Sequence, residues 1–218
     1  MKHSWINNNG SSSVILVFLG WGADARCLSR MEPTAFDVVA FYDYDDLHTS
    51  VDLSCYTDIQ VIAWSMGVFN AECFLNENHI TPSRKVAIAG TCLPVDNLYG
   101  LLPDICQGTL DNWADATRRK FSMRMCGGRQ GFADALPLMS DRSVDNQKTE
   151  LSSIMLRAKQ LPSDDDVTWN KAIISSDDLI FLPDNQRRYW QSHATAIVEV
   201  DMPHFPFLAF SSFDAILQ

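Results

Sequence analysis

Short apolar runs separated by helix-like stretches constrain the fold of this chain more than any other feature. Seven such runs, rich in β-branched residues, lie at His3–Ile6, Val14–Leu19, Asp37–Tyr42, Ile59–Trp64, Lys85–Gly90, Lys171–Ser175 and Thr195–Val200. Strands without polar alternation must be covered on both faces, as in a parallel sheet flanked by helices. The sequence therefore predicts an α/β fold with a mostly parallel sheet of about seven strands, covered by helices.

Local signals refine this prediction. The sequence NNNG between the first two runs favours a hairpin with an Asn-Gly turn. Helices are expected after Gly22, Ser65 and Pro183 and at the end of the chain. The acidic stretch Tyr42–Leu47, YDYDDL, is expected to be a solvated loop beside the site.

The interval from residue 93 to 170 interrupts the alternation. It contains no clear strand, and its helical patches are rich in Met, Arg and Trp. Structureless loops of that length are uncommon in compact domains. We therefore expect one domain over residues 1–218 in which residues 93–170 form a helical lid insertion.

Charge and cysteine usage limit the classes of partner. The formal net charge of −10 argues against nucleic acid, and no apolar run approaches the ~20 residues that span a bilayer. The N-terminal residues lack the pattern of a secretion signal. Six cysteines without a Cys-x-x-Cys pair or histidines at ligand spacing indicate reduced thiols, no metal site and a cytoplasmic location.

The charge is unevenly distributed along the chain. Between Arg118 and Lys159 there are nine basic and four acidic residues, which gives this segment +5 and leaves −15 elsewhere. Five cations occur there in a window without an acid: Arg118, Arg119, Lys120, Arg124 and Arg129. A basic face above the site would attract an acidic partner, and a solvated helix face is the alternative. Phe121 and Phe132 are expected to contribute an apolar surface to the lid.

The pentapeptide Ala63-Trp64-Ser65-Met66-Gly67 lies between a predicted strand and a predicted helix. Small residues two positions either side of the serine permit a sharp turn that raises its hydroxyl above the sheet. The following helix N-terminus supplies free backbone N–H groups. Ser65 is therefore a candidate nucleophile, and a helix N-cap is its alternative role.

Three further stretches follow predicted strands. FLGWG (Phe18–Gly22) can direct a backbone N–H at an oxyanion, Asp177 and Asp178 lie in a later turn, and His204 follows the last strand. All would meet at the carboxyl edge of the sheet, where open α/β sheets bind ligands. Serine, imidazole and carboxylate together favour acyl transfer. Helix capping by Asp178 and structural packing of His204 are the alternatives.

The segments GWG, AWSMG, DxIFxPxNQxxxW and PHFPF together resemble the α/β-hydrolase superfamily. More closely, the chain is similar over nearly its whole length to BioG-type pimeloyl-[acyl-carrier protein] methyl ester esterases of biotin synthesis. The resemblance implies that Ser65 is the nucleophile, His204 the general base and Asp178 the triad acid, with Asp177 a lesser candidate. It places the oxyanion hole at the backbone N–H groups of Trp21 and Met66.

The same resemblance implies the reaction. A serine carboxylesterase would hydrolyse the methyl ester of pimeloyl-[acyl-carrier protein] methyl ester to pimeloyl-[acyl-carrier protein] and methanol, without cofactor or metal. An acyl-carrier protein is then the expected partner of the basic residues and of Phe121 and Phe132. A general short-chain carboxylesterase or thioesterase is the alternative, and a non-catalytic hydrolase-fold binding protein is the alternative from another class.

Overall fold

A seven-stranded sheet forms the centre of the protein. The computed structural model describes residues 1–160 and 168–218. The strand order is β1-β3-β2-β4-β5-β6-β7, with β1 antiparallel to β3 and every other neighbouring pair parallel. The bounds are β1 Lys2–Asn7, β2 Ser13–Phe18, β3 Asp37–Tyr42, β4 Asp58–Trp64, β5 Arg84–Ile88, β6 Trp169–Ser175 and β7 Ala194–Val200. Each predicted run is a strand, and the predicted fold class is confirmed.

Seven α-helices occur in the described residues. They are α1 Met66–Glu77, α2 Pro103–Asp111, α3 Asp115–Met125, α4 Arg129–Ala135, α5 Val144–Ala158, α6 Pro183–His193 and α7 Phe213–Leu217. The helices predicted after Ser65, after Pro183 and at the end of the chain are α1, α6 and α7. After Gly22 the chain forms only the short 3-10 turn Ala25–Leu28.

The central strands are buried on both faces. Leu16 and Phe18 of β2 pack into a cluster that includes side chains of α1, α5 and α6. Ile15 and Val17 point to the opposite face, where they join residues of α7 and of the segment that follows β7. Because both faces are covered, these strands carry no polar alternation. Burial on both faces of the sheet is therefore the cause of the apolar runs, as predicted.

The predicted hairpin between the first two strands is wrong. β1 pairs antiparallel with β3, in the register Lys2 with Tyr42, and β3 lies between β1 and β2. The burial of the two strands explains this arrangement. β1 is exposed or half-buried at every position, whereas Val14–Phe18 of β2 is fully buried. An apolar strand is stabilised in the interior of a sheet, and the more polar β1 can occupy the edge.

The predicted insertion contains helices of two kinds. α2, α3 and α4 have only one buried residue each. α5 instead packs on the sheet, with Glu150, Leu151 and Ile154 essentially inaccessible. Residues 161–167 of the interval lie outside the described residues. This interval thus supplies both a helical cover, α2 to α4, and a helix of the main core, and its role as a lid insertion stays a prediction.

Candidate active site

Ser65 occupies a strained turn between β4 and α1. Its φ of 59° and ψ of −130° lie in a region that non-glycine residues rarely adopt, at a cost of about 1–3 kcal/mol. The Ser65 amide donates a hydrogen bond of 2.9 Å to the Ile88 carbonyl of β5. Main-chain contacts with the neighbouring strand therefore help to hold the serine in this conformation.

Three glycines allow the main chain to pack closely around this turn. A Cβ atom added at Gly67 would lie 2.4 Å from the Phe18 carbonyl oxygen, and one at Gly90 would lie 2.3 Å from the Ser65 carbonyl oxygen. A Cβ at Gly20 would approach the Ser65 Cβ to 3.1 Å. Close packing of the main chain thus requires a small residue two positions after the serine, as the pentapeptide predicted.

A continuous chain of hydrogen bonds joins Ser65, His204 and Asp178. His204 Nε2 lies 2.9 Å from Ser65 Oγ, and His204 Nδ1 lies 2.7 Å from Asp178 Oδ2. All three side chains are buried. Because a carboxylate only accepts, the Nδ1 atom of His204 carries the proton, and Nε2 is free to accept from the serine hydroxyl. The three predicted catalytic residues are therefore brought together in the order that serine chemistry requires.

The Asp178 carboxylate is held by groups of its own turn and of α6. Its Oδ1 accepts from the amides of Ile180 and Phe181, both at 2.8 Å, and Gln186 Nε2 donates to Oδ2 at 3.2 Å. Asp177 is exposed, so it is Asp178 that reaches His204. Gln186 had no predicted role, although it belongs to the segment DxIFxPxNQxxxW. Its side-chain amide orients the carboxylate that orients the imidazole.

The loop that carries His204 is fixed at two points. The Trp64 indole N–H donates to the His204 carbonyl at 2.8 Å, and the Phe205 amide donates to the Met125 carbonyl at 3.0 Å. Trp64 directly precedes Ser65, and Met125 ends α3. The loop is therefore tied both to the strand that bears the serine and to the helical cover.

The two predicted oxyanion-hole amides lie beside the serine. Trp21 follows Gly20 in the turn after β2, and Met66 is the first residue of α1. Both residues line the same cavity as Ser65 and His204. Neither amide donates to an acceptor among residues 1–160 and 168–218. Two free N–H groups beside a hydroxyl can stabilise an oxygen that becomes negatively charged.

The cavity above Ser65 has a volume of about 330 Å³ and mostly apolar walls. α2 contributes Ile105, α3 contributes Phe121 and Met125, and the turn after Asp178 contributes Leu179 and Ile180. This size lies at the lower end of the range for small-molecule sites. The walls suit a short acyl chain rather than a polar ligand.

The predicted substrate-binding residues are distributed over several surfaces. Arg124 and Phe121 line the cavity of Ser65, and Arg124 and Lys120 line an adjacent groove of α2 and α3. Arg118, Arg119 and Phe132 line a second cavity of about 540 Å³, with the Arg119 guanidinium 5.8 Å from the Phe132 ring centre. Arg118 also pairs with Asp115 at 2.7 Å. Arg129 is exposed at the start of α4. These residues remain predictions as binding groups.

A buried ionic cluster lies under the turn after β2. Arg142 pairs with Asp43 at 2.7 Å and with Glu150 at 2.8 Å. Burial opposes the ionisation of Asp43, but Lys2 and Arg142 outweigh burial and lower the pKa of Asp43. Burial raises the pKa of Glu150 to about 6, although Arg142 opposes that shift. The expectation of a solvated Tyr42–Leu47 loop is therefore correct for the exposed Asp45 and Asp46 and wrong for Asp43 and Tyr44, which are buried.

Two further features concern binding in general. In the part of the chain that the structure describes, no three His, Cys, Asp or Glu side chains gather at a spacing that would bind a metal ion. Over the same residues, no helix combines the length and apolarity needed to cross a membrane. The expected cytoplasmic location and the absence of a cofactor stay predictions.

The fold and the serine turn define the class of protein, an α/β-hydrolase fold. A lipase-esterase related protein from Clostridium acetobutylicum shares it, with a TM-score of 0.64 at 14% identity over 94% of this chain and 92% of that one. The family model described as pimeloyl-ACP methyl esterase BioG matches residues 1–216. The chain belongs to the BioG family, as its motifs predicted.

Two relatives are similar to this chain at higher identity. The crystal structure of BioG from Haemophilus influenzae superposes with a TM-score of 0.93 at 34% identity, covering 100% of both chains. A malonyl-[acyl-carrier protein] O-methyltransferase from Bacteroides fragilis is 39% identical over 192 residues, which is 88% of this chain. The chain spans 39% of the length of that methyltransferase. The family description names an esterase, in agreement with the predicted hydrolase.

Proposed function

We propose that the chain hydrolyses the methyl ester of pimeloyl-[acyl-carrier protein] methyl ester through a Ser65–His204–Asp178 triad. The observation that carries this proposal is the unbroken chain of hydrogen bonds, 2.9 Å and 2.7 Å long, below an apolar cavity. A serine hydroxyl is a weak nucleophile until a neighbouring base accepts its proton. His204 Nε2 is within reach of that proton.

In the first half of the reaction Ser65 Oγ attacks the ester carbonyl while its proton passes to His204 Nε2. Asp178 stabilises the resulting imidazolium without accepting its proton. The carbonyl oxygen becomes negatively charged and accepts from the Trp21 and Met66 amides. Collapse of the tetrahedral intermediate breaks the bond to the methoxy oxygen. That oxygen takes the proton from His204 and leaves as methanol.

In the second half a water molecule replaces the alcohol. His204 removes a proton from this water as it attacks the acyl-enzyme carbonyl, and the same two amides bind the second oxyanion. Ser65 then leaves with the proton from His204, which frees the carboxylic acid and restores the enzyme. Nothing in this cycle requires a metal or a cofactor.

The substrate class follows from the cavity and from the family. The apolar walls supplied by Ile105, Phe121 and Leu179 suit the methylene chain of a pimeloyl group. The acyl chain would enter with its methyl ester at Ser65 and its thioester outside. The carrier protein is expected to be acidic, so exposed cations around the opening would favour its approach. Among the predicted carrier-binding cations, Arg124 lines the cavity itself and Lys120 lines the adjacent groove.

Labelling tests the nucleophile. A fluorophosphonate probe should modify the wild-type protein and leave Ser65→Ala unmodified, because only an activated serine attacks phosphorus at an appreciable rate. In a biotin auxotroph that lacks its own esterase, the wild-type gene should restore growth and Ser65→Ala should not. Labelling of both proteins, or of neither, would contradict the proposed role of Ser65.

Carrier dependence separates this function from a general short-chain carboxylesterase or thioesterase. The kcat/KM for the carrier-bound methyl ester should exceed that for the free methyl ester. Replacing Arg118 and Arg119, which lie outside the Ser65 cavity, by glutamate should lower the first value about tenfold or more and leave the second nearly unchanged. Equal losses on both substrates would mean that these cations do not recognise the carrier.

A further inference from the structure

The turn that carries Trp21 is held from outside the sheet by one helix of the insertion. Gly22 has a φ of +75°, a conformation that glycine adopts without strain. A turn that contains Gly20 and Gly22 has little intrinsic rigidity, yet an oxyanion hole requires its donor in a fixed position. The neighbouring structure must supply that rigidity.

Glu150 of α5 binds this turn through its carboxylate. Oε2 of Glu150 accepts from the Gly22 amide at 2.9 Å, and Oε1 accepts from the Tyr44 amide at 3.1 Å. Arg142 Nη1 donates to the same Oε2 at 2.8 Å. Glu150 is fully buried, so it spans from α5 to the ends of β2 and β3 without contact with water. Because its pKa is about 6, the carboxylate form predominates at pH 7.

Gln147 lies one helical turn before Glu150 in α5 and binds two further polar groups of the loop that contains Trp21 and Gly22. Its Nε2 donates to the Gly22 carbonyl at 2.9 Å, and its backbone carbonyl accepts from the Trp21 indole N–H at 2.7 Å. Gln147 Oε1 in turn accepts from the Trp113 indole at 3.0 Å. Both the amide and the carbonyl of Gly22 are thus bound by side chains that lie 125 residues or more further along the chain.

We propose that Glu150 and Gln147 are positioning residues that hold the Trp21 amide in the oxyanion hole. This inference rests on the proposed function, because it concerns the donor that binds the oxyanion there. Neither side chain touches Ser65 or His204, and neither is one of the predicted catalytic groups. Both side chains act on the amide of Trp21 through Gly22, whereas the indole ring is held by the backbone carbonyl of Gln147.

The chemistry explains why these residue types are suited to the task. A carboxylate presents two acceptor oxygens, which the three donors Gly22, Tyr44 and Arg142 require. Glutamine in place of Glu150 would offer one oxygen, and its NH₂ group would face another donor. The side chain of Gln147 donates to the Gly22 carbonyl and accepts from the Trp113 indole. Neither methionine nor a glutamate carboxylate can do both.

The test uses Glu150→Gln and Gln147→Met with an alkylboronic acid, which forms a tetrahedral adduct with an activated serine. The adduct carries an oxygen where the oxyanion would lie, whereas KM for a short methyl ester reports mainly ground-state binding. Both variants should lose about 10- to 100-fold in kcat and in boronate affinity, with KM changed less than threefold. Ile154→Ala, which removes packing of the same helix without a bond to the turn, should keep both values.

The outcomes are distinguishable. Unchanged boronate affinity in both variants, or an equal loss in Ile154→Ala, would overturn the positioning role. Absence of any adduct in the wild-type protein would instead overturn the proposed serine chemistry. Because Glu150→Gln disturbs a buried ion pair, Gln147→Met decides the result if the glutamate variant does not fold.

Discussion

Replacement of Gly67 by alanine tests how closely the nucleophile turn is packed. The added Cβ would lie 2.4 Å from the Phe18 carbonyl oxygen and 2.5 Å from the Leu19 carbonyl oxygen. Both atoms belong to the main chain, so no side chain can rotate away. Cβ atoms in folded proteins essentially never lie within 3.0 Å of such a non-bonded atom. α1 must therefore retreat from the end of β2 by roughly half an ångström or more.

The magnitude follows from two opposing effects. Overpacking of this kind costs about 1–3 kcal/mol, and the higher helix propensity of alanine returns at most about 1 kcal/mol. We expect a net loss of about 1–2 kcal/mol in the free energy of unfolding. The retreat also separates Met66 of α1, and Ser65 just before it, from Trp21 after β2. A misplacement of this size can lower kcat about 10- to 100-fold.

The assay combines urea denaturation, followed by tryptophan fluorescence, with turnover of a short methyl ester. Gly108→Ala is the matched control because this glycine is exposed in α2 and its added Cβ would meet nothing within 4 Å. The control should gain about 0.5–1 kcal/mol in stability at unchanged turnover. A Gly67→Ala protein as stable and as active as the wild type would refute the steric reasoning.

Two further predictions concern buried groups around the site. Gln186→Met removes the amide that donates to Asp178. We expect kcat to fall only about tenfold at constant KM, because the carboxylate still accepts from two backbone amides. A changed KM with normal kcat would argue against this role of Gln186. Burial raises the pKa of Glu150 from 4.5 to about 6, so the folded state binds this proton more tightly than the unfolded state. The free energy of unfolding should therefore fall as pH rises from about 4.5 to about 6, by roughly 2 kcal/mol from this group. Comparison of pH-dependent urea midpoints should show that component lost in Glu150→Gln, and an unchanged slope would contradict it.

The sequence was sufficient for features that depend on neighbours along the chain. Apolar runs mark strands because burial on both faces removes the need for polar residues, and all seven runs form strands. The turn at Ser65 could be predicted because residue 67 must be small where α1 meets β2, and the sequence has glycine there. The position of the edge strand β1 in the sheet could not be predicted from the sequence. The NNNG segment suits a hairpin, but pairing of β1 with β3 depends on burial differences across the whole sheet.

Features that depend on distant partners were missed. Asp43 was predicted to be solvated because its local sequence is acidic, yet its partners Arg142 and Asn146 lie about 100 residues further along. Gln147 and Glu150 bind mainly main-chain atoms, which leave no signal in side-chain patterns. Gln186 had a weak signal, since it lies in the segment that also contains Asp178. Long-range polar contacts of this kind become visible only in three dimensions.

The walls of the cavity and the Ser65–His204–Asp178 chain come from different parts of the fold. Ile105 of α2 and Phe121 of α3 line the cavity, whereas the hydrogen-bonded groups follow β4, β6 and β7. A library that randomises Ile105 and Phe121 would therefore vary the shape offered to an acyl group at little risk to proton transfer. Protein engineers seeking altered chain-length selectivity have in Ile105 the more independent of the two positions, because the Phe121 ring also lies 5.5 Å from the Trp21 ring.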